Sequence, residues 1–175
     1  MDRETLEQVW RAAERMRSDH PIDFPLLVDV AADVGPLSWR DAAQLARRER
    51  EDRVARPMQL LEFVAELAQA LGPRSVLDPW VEAPTILAAV HEASGSVRSC
   101  GLVQQERLWR AAQRIKPLDW RLGDPLRLLR DLSHERFDLV LAEPRSACGS
   151  RPHPNRMIPA SASHSRSIGT PEGDG

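Results

Sequence analysis

Apolar residues recur every three or four positions through the first part of the chain, which is the spacing of an amphipathic helix. Asp2 is placed to cap a first helix of this kind. Its apolar positions are Leu6, Val9, Trp10, Ala13 and Met16. The segment "HPIDFP" interrupts the pattern, and a second helix is predicted after it, with Gly35 as its end. Its apolar face is predicted to carry Leu26, Leu27, Val30 and Val34.

Two more helices are predicted before residue 73. Ser38 and Asp41 have the spacing of a capping box, which favours a helix start at this point. Pro57 suits the first position of a fourth helix, and Gly72 suits its end. The apolar stripe of that fourth helix is Leu60, Leu61, Val64, Leu67, Ala68 and Leu71. Residues 1 to about 72 are therefore predicted to be helical.

The pattern changes at Pro73, where short apolar runs begin to alternate with helical segments of about ten residues. The four predicted strands are "SVLD" (75–78), "SVRSCGLV" (96–103), "LDWRLGD" (118–124) and "FDLVLAEP" (137–144). The three predicted helices between them are 84–93, 105–115 and 125–132. This alternation predicts parallel βαβ units, and hence an α/β fold with a partial, Rossmann-like, doubly wound sheet of about four strands.

The composition divides the chain into three regions. Residues 1–56 are predicted to be a helical N-terminal region, and residues 57–145 a partial α/β domain. Residues 146–175 are rich in Ser, Pro, Gly and His and show no apolar period, so a disordered tail is predicted there.

Charge and cysteine content narrow the class of protein. The net charge is -2, so no overall basic field points to nucleic acid. Cys100 and Cys148 are the two cysteines, which argues against a disulfide framework or a zinc site and suits a reducing compartment. No signal peptide or membrane-length apolar run is evident, so a cytoplasmic protein without membrane contact is expected.

Acidic residues stand at three predicted strand ends: Asp78, Asp124 and Glu143. Because the carboxyl ends of parallel strands share one edge of the sheet, these side chains could meet at a ligand site. A ligand with hydroxyls, an amine or an adenine amino group would supply the hydrogen-bond donors that the carboxylates need. The alternative is that each residue caps the helix that follows its strand.

Several segments together resemble one enzyme family. They are "ARPMQLLEFVAELAQAL", "SVLDPWVEAPTILAAVHEA", "SCGLVQQERLWRAAQRI", "RLGDPLRLL" and "FDLVLAEPR". In order and spacing, over roughly residues 53 to 145, they resemble the amino-terminal half of S-adenosyl-L-methionine-dependent methyltransferases. Among these enzymes, the chain most specifically resembles the N6-adenine DNA methylases of type I restriction-modification systems. This resemblance implies S-adenosyl-L-methionine as a cofactor and DNA as a partner.

The resemblance assigns roles to particular residues. It implies cofactor binding by Asp78 and Pro79 in the first motif and by Pro57 at the start of the preceding helix. It implies the same for Gly101 in the second strand, and for Asp124, which would face the adenine of the cofactor.

The family's catalytic Asn-Pro-Pro-aromatic loop corresponds to Glu143, Pro144, Arg145 and Ser146. Catalytic contact with the target amine is therefore implied for Glu143 and Pro144. Ser146 cannot stack on a flipped base as the family's aromatic ring does.

The chain departs from the family in the cofactor motifs as well. Val103 stands where the family usually carries the acid that binds the ribose, and only Gln104 and Gln105 follow it. Glu82 and Pro84 stand where the family has glycines that let the backbone approach the cofactor.

We therefore expect a degenerate methyltransferase-like protein that is inactive on its own. The alternative is a helical DNA-binding or protein-interaction module with a vestigial α/β domain, for which the arginine-rich run 47–56 is the supporting feature. Later strands of the family have no counterpart, so the strand 137–144 should form an uncovered apolar edge. Such an edge favours a protein partner, a second copy or low stability.

Overall fold

A computed structural model describes residues 1–17, 22–49, 58–95 and 98–142, and in these residues the chain forms seven α-helices and one four-stranded sheet. The helices are α1 (Arg3–Met16), α2 (Phe24–Val34), α3 (Trp39–Glu49), α4 (Met58–Leu71), α5 (Pro84–Ser94), α6 (Glu106–Ile115) and α7 (Pro125–Asp131). The strands are β1 (Ser75–Asp78), β2 (Arg98–Val103), β3 (Asp119–Leu122) and β4 (Leu139–Val140).

The sheet is parallel throughout, with the order β3-β2-β1-β4. The chain builds outward from β1 to β3 and then returns to the other side of β1 for β4. The predicted α/β fold, with a helical N-terminal region and a parallel sheet of about four strands, is confirmed. The reversal of strand order lies between β1 and β4, and in doubly wound sheets such a switch point is where ligands bind.

The predicted helix ends at Asp2, at Gly35 and at the capping box Ser38–Asp41 are also confirmed. The Asp2 side chain accepts a hydrogen bond from Thr5 N at 2.8 Å, and Gly35 is the C-cap of α2. Ser38 and Asp41 form the reciprocal capping box: Asp41 N donates to Ser38 Oγ, and Ser38 N donates to Asp41 Oδ2, both at 3.1 Å. These ends form because polar side chains near in sequence satisfy backbone groups that have no partner within a helix.

Apolar side chains cover both faces of the sheet. Consecutive residues of β1 point in opposite directions, so Val76 joins a cluster with Val90 and Trp120, while Leu77 packs with Leu102 and Leu132. This burial on two faces is typical of a parallel strand between two helical layers.

The N-terminal helices pack on the helical layer that contains α5 and α6. A single buried cluster contains residues of α1, α2 and α3 together with Ala88 and Ala89 of α5 and Ala111 and Ile115 of α6. Arg107 of α6 adds a two-pronged ion pair to Asp23, with distances of 2.6 and 3.1 Å. The helical and α/β parts of the sequence therefore share one core.

Two apolar patterns read from the sequence are only partly buried. In α4, Leu61 and Ala68 are buried, but Leu60, Leu67 and Leu71 are 45, 48 and 63% exposed. The reason is that α4 contacts the core along one flank only, so half of the stripe has no covering element in the described residues. The same holds at the end of α2, where Val34 is exposed.

Some expectations fall outside the described residues. These expectations concern the domain boundaries near 56 and 145, Pro57, the pair Glu143–Pro144 and the tail 146–175. Within the described ranges, no helix has the length and apolar character needed to cross a membrane.

Candidate functional site

The carboxyl ends of the strands bring three of the predicted cofactor residues, Asp78, Gly101 and Asp124, to one edge of the sheet, and Pro79 directly follows Asp78 there. Asp78 is the last residue of β1 and pairs in register with Gly101 of β2. Asp124 follows β3, which pairs with the other side of β2. Asp78 is the most central of the three, because β1 borders the switch point.

Asp78 is a buried acid, with only 5% of its surface exposed. Its carboxylate accepts a hydrogen bond at 3.0 Å from the backbone N–H of Trp80, which holds the Pro79–Trp80 turn against the end of β1. It does not cap the following helix, since the N-cap of α5 is Ala83. Burying a carboxylate costs free energy unless hydrogen bonds satisfy it, and the bond from Trp80 N–H is one that does so here.

The segment between β1 and α5 stays close to β2. The backbone N–H of Val81 donates to the carbonyl of Leu102 at 3.1 Å, and the Val81 side chain is buried with Val103 and Trp120. Val81 therefore fills space beside the end of β2.

This path limits what the loop can offer a ligand. Pro79 and Pro84 have no backbone N–H. The N–H groups of Trp80 and Val81 already donate to Asp78 and Leu102. Four of the six positions from 79 to 84 therefore present no N–H to a phosphate, carboxylate or ribose. Glycine-rich cofactor loops depend on such donors for close backbone approach.

Residues 103–105, at the exit of β2, include no acid, as the sequence indicates. The structure shows which of them are buried and which are exposed. Val103 is fully buried in the core cluster below the rim. Gln104 and Gln105 are exposed, and the Gln105 side chain makes no capping hydrogen bond to α6. The polar side chains that directly follow β2 are therefore these two exposed amides.

Gly101 is explained by packing. An ideal Cβ on Gly101 would lie 2.3 Å from Cζ3 and 2.5 Å from Cε3 of Trp120, and 3.1 Å from Cδ2 of Leu87. The Trp120 ring is itself fixed, because its Nε1 donates to the carbonyl of Lys116 at 2.8 Å. The space that the missing side chain leaves is therefore occupied by an indole ring from β3.

Asp124 is the N-cap of α7. Its side chain accepts a hydrogen bond from Leu126 N at 3.0 Å, and it is 51% exposed. For this residue, the capping alternative raised by the sequence is confirmed. One carboxylate oxygen at the rim is engaged by the cap, so cofactor contact by Asp124 would be an additional role.

Sequence reasoning did not single out Trp80, which is 39% exposed in the turn after β1. A large aromatic side chain left open beside a buried acid is the kind of group that stacks on planar ligands. The signal was available, because an aromatic residue directly follows Asp-Pro in "LDPW".

A second polar cluster, also not singled out, lies on β2 and β3. Arg121 contacts Asp119 at 2.9 Å and Glu135 at 3.6 Å, and Glu135 also pairs with Arg98. The hydrogen bond from Arg121 is the main cause that lowers the pKa of Asp119. Burial raises the pKa of the neighbouring Cys100 thiol to about 11, so this sulfur stays protonated at neutral pH and is a poor nucleophile. The cluster ties the α7–β4 connection to the sheet.

The structure also contains a cavity of about 350 Å³ at the opposite end of the sheet. It lies between the end of α4 and the start of β4 and is lined by Leu71, Gly72, Pro73, Arg74, Asp138 and Leu139. Asp138 is already engaged there, since its carboxylate accepts hydrogen bonds from Arg74 N and Ser75 N at 2.9 and 3.0 Å. These bonds lower the pKa of Asp138 and fasten the start of β4 to β1.

In the part of the chain that the structure describes, no three His, Cys, Asp or Glu side chains are grouped so that they could hold a metal ion. Compared with models of protein families and with curated protein sequences, the chain matches none.

Proposed function

We propose that the chain is a degenerate, methyltransferase-like protein. It has the cofactor-side half of a DNA (adenine-N6) methyltransferase fold, but its S-adenosyl-L-methionine site is reduced, and it does not catalyse methyl transfer on its own. The observation that carries the proposal is the buried Asp78 at the end of β1, beside the switch point of a sheet with the order β3-β2-β1-β4.

The rim of the sheet supports a cofactor-type position. A carboxylate at Asp78 suits the positively charged amino group of an amino-acid moiety. Trp80 offers a ring for stacking on a planar base, and Asp124 keeps a half-exposed carboxylate on the neighbouring side. Gln104 and Gln105 can each donate and accept single hydrogen bonds, but neither replaces the two-oxygen acceptance of a ribose diol by a carboxylate.

The loop supports the degenerate state. With Pro84 as the first residue of α5 and the N–H of Val81 bonded to Leu102, the loop cannot present a continuous row of donors. Glu82 adds a side chain and a negative charge where the family has glycine. We therefore expect S-adenosyl-L-methionine to bind weakly or not at all.

The proposal is tested by restoring what the family has. The variant Glu82→Gly/Pro84→Gly/Gln104→Asp returns two glycines to the loop and one acid to the exposed exit of β2. Gln104 is chosen because Val103 is buried, so an acid at position 103 would destabilise the core. Calorimetric titration of the folded wild-type chain should give no binding heat up to about 2 mM S-adenosyl-L-methionine, whereas the restored variant should bind with a dissociation constant below about 1 mM.

Two further variants control this test. The restored variant that also carries Asp78→Asn should lose binding. The restored variant that instead carries Asp33→Asn, a change on α2 far from the rim, should keep it. If the restored variant folds but binds no cofactor, the methyltransferase relationship is refuted. If the wild-type chain binds S-adenosyl-L-methionine in the micromolar range and Asp78→Asn abolishes that binding, the cofactor site is intact and the protein is not degenerate.

A further inference from the structure

The exposed side of α4 carries a continuous row of large apolar side chains. Leu60, Phe63, Leu67 and Leu71 are 45, 60, 48 and 63% exposed. The other large apolar residues with comparable exposure come one to an element in the described residues. Monomeric proteins rarely leave such a contiguous patch open, so this flank of α4, here called the α4 seam, is a candidate interface.

The α4 seam has the spacing of a coiled-coil helix. Leu60, Val64, Leu67 and Leu71 are separated by four, three and four residues, which is a heptad pattern, and Phe63 flanks them. The residues that α4 buries within the domain lie on an adjacent flank of the same helix: Leu61, Ala65 and Ala68. Two sides of the helix are therefore apolar: the fold buries one of them, and of the α4 seam only Val64 is partly buried, against the core.

The α4 seam faces the side of the molecule where the sheet ends. Val64 packs on the same core cluster as Leu139 and Leu141, which belong to β4 and the residue after it. The cavity described above joins Leu71 to Leu139. Within the described residues β4 pairs only with β1, so β4 is an edge strand of the sheet.

We propose that the α4 seam is a homodimer interface, in which α4 packs antiparallel against α4 of a second copy of this chain. In this arrangement Leu60 faces the partner's Leu71, and Val64 faces the partner's Leu67. The pattern therefore pairs with itself without a change of register. The antiparallel direction also brings the N-terminus of one helix beside the C-terminus of the other, which favours attraction between the helix dipoles.

Charge placement fits a second copy as the occupant. The exposed acids of α4, Glu62 and Glu66, lie on the side of the helix away from the α4 seam, so like charges do not meet across the pair. Residues 146–175 are a poor alternative, because their few apolar residues show no helical spacing. An isolated helix of this length would not dimerise stably, but α4 is already held in place by its packing on α5, so most of its ordering cost is met by folding.

The first test measures the mass of the purified full-length chain by sedimentation and light scattering from about 1 to about 500 µM. The wild-type protein should pass from monomer to dimer in this range, and Leu67→Glu should remain a monomer throughout. The matched control is Leu126→Glu, at an apolar residue of α7 that is 61% exposed, which should dimerise like the wild type.

The second test determines whether the two α4 helices pack antiparallel, and it uses chains that carry Cys148→Ser. A mixture of Leu60→Cys and Leu71→Cys chains should form a disulfide-linked heterodimer on mild oxidation, whereas Leu60→Cys alone should not cross-link. A wild-type protein that stays monomeric over the whole range overturns the proposal. A dimer that survives Leu67→Glu also overturns it and would indicate the β4 edge or another surface.

Discussion

Trp120 illustrates how one residue sets the role of another far away in sequence. Its ring lies over Gly101, its Nε1 donates to Lys116, and its own backbone carbonyl accepts a hydrogen bond from Trp109 at 2.8 Å. Resemblance to a family places Gly101 near a cofactor, but the packing alone requires glycine at this position. Packing is therefore sufficient to account for glycine at position 101.

We expect Gly101→Ala to lower the free energy of unfolding by about 1–3 kcal/mol, because the added methyl group overlaps an indole ring that cannot move without losing a hydrogen bond. Urea denaturation followed by circular dichroism measures the change. Gly35→Ala is the matched control, because a Cβ there meets nothing within 4 Å and the backbone, with φ 172°, is extended. Equal effects of the two substitutions would contradict this account of Gly101.

His91 should make stability depend on pH. Burial is the main cause that lowers its pKa below 6.5, and the positive charge of Lys116 adds to the effect, while Glu92 opposes it. The unfolded chain therefore binds more protons than the folded one once the pH falls below about 6.5, so stability should decrease from there down through the lowered pKa.

Melting temperatures between pH 7.5 and pH 5 measure this dependence. His91→Gln should flatten the profile in that range by removing the titrating group, at the cost of the contact between His91 Nδ1 and Ser99 Oγ at 3.0 Å. Gln69→Ala, at an exposed position of α4 without a titrating side chain, should leave the slope unchanged. A slope that survives His91→Gln would assign the effect to other groups.

At the scale of the element, helix ends depend on side chains that are close in sequence. The capping box of α3 illustrates this, since Ser38 and Asp41 satisfy each other's backbone N–H groups. Asp41 also forms an ion pair with the chain's amino terminus, which links the start of α1 to the start of α3. The cap was predictable from the local sequence, but its link to Met1 was not.

Ser38→Ala should cost about 1 kcal/mol of stability, because the N–H of Asp41 loses its acceptor at the start of α3. Thermal or chemical denaturation gives the value, and Ser133→Ala at an exposed turn position is the matched control. A loss no larger than that of the control would show that the cap contributes little in this context.

At the scale of the whole molecule, the N-terminal helices and the sheet depend on a common core. Residues of α5 and α6 such as Ala88, Ala89 and Ile115 are at most 5% exposed because α1 to α3 cover them. Arg114 reinforces the contact through an ion pair with Asp29 at 3.1 Å. A helical module that binds DNA independently of the sheet would have to give up this burial.

Removal of residues 1–49 should therefore leave a chain that does not unfold cooperatively, because the apolar surface of α5 and α6 becomes exposed. Circular dichroism melting and binding of a hydrophobic dye compare the shortened chain with the full chain. A sharp, reversible transition in the shortened chain without dye binding would show that the α/β part folds alone, and would favour the alternative of a separate helical module.

Much of the fold was predictable from local pattern. The cap at Asp2, the end at Gly35, the capping box and the alternation of strands with helices after Pro73 are all found in the structure. Of the candidate site, the sequence indicated two acids at the rim, Asp78 and Asp124, and an apolar residue, Val103, at the exit of β2. It could not show that Val81 folds back onto β2 or that Trp120 covers Gly101, because these contacts join residues that are apart in sequence.

The sequence by itself determined which segments become helices or strands, because periodicity, caps and turn residues act within a few positions. Only the tertiary structure decided which apolar faces are covered. Leu61 and Leu67 belong to one stripe in the sequence, yet the first is 3% exposed and the second 48%. The physical reason is that burial depends on a partner surface, and the position of that surface is set by the packing of the whole chain and not by the helix that needs it.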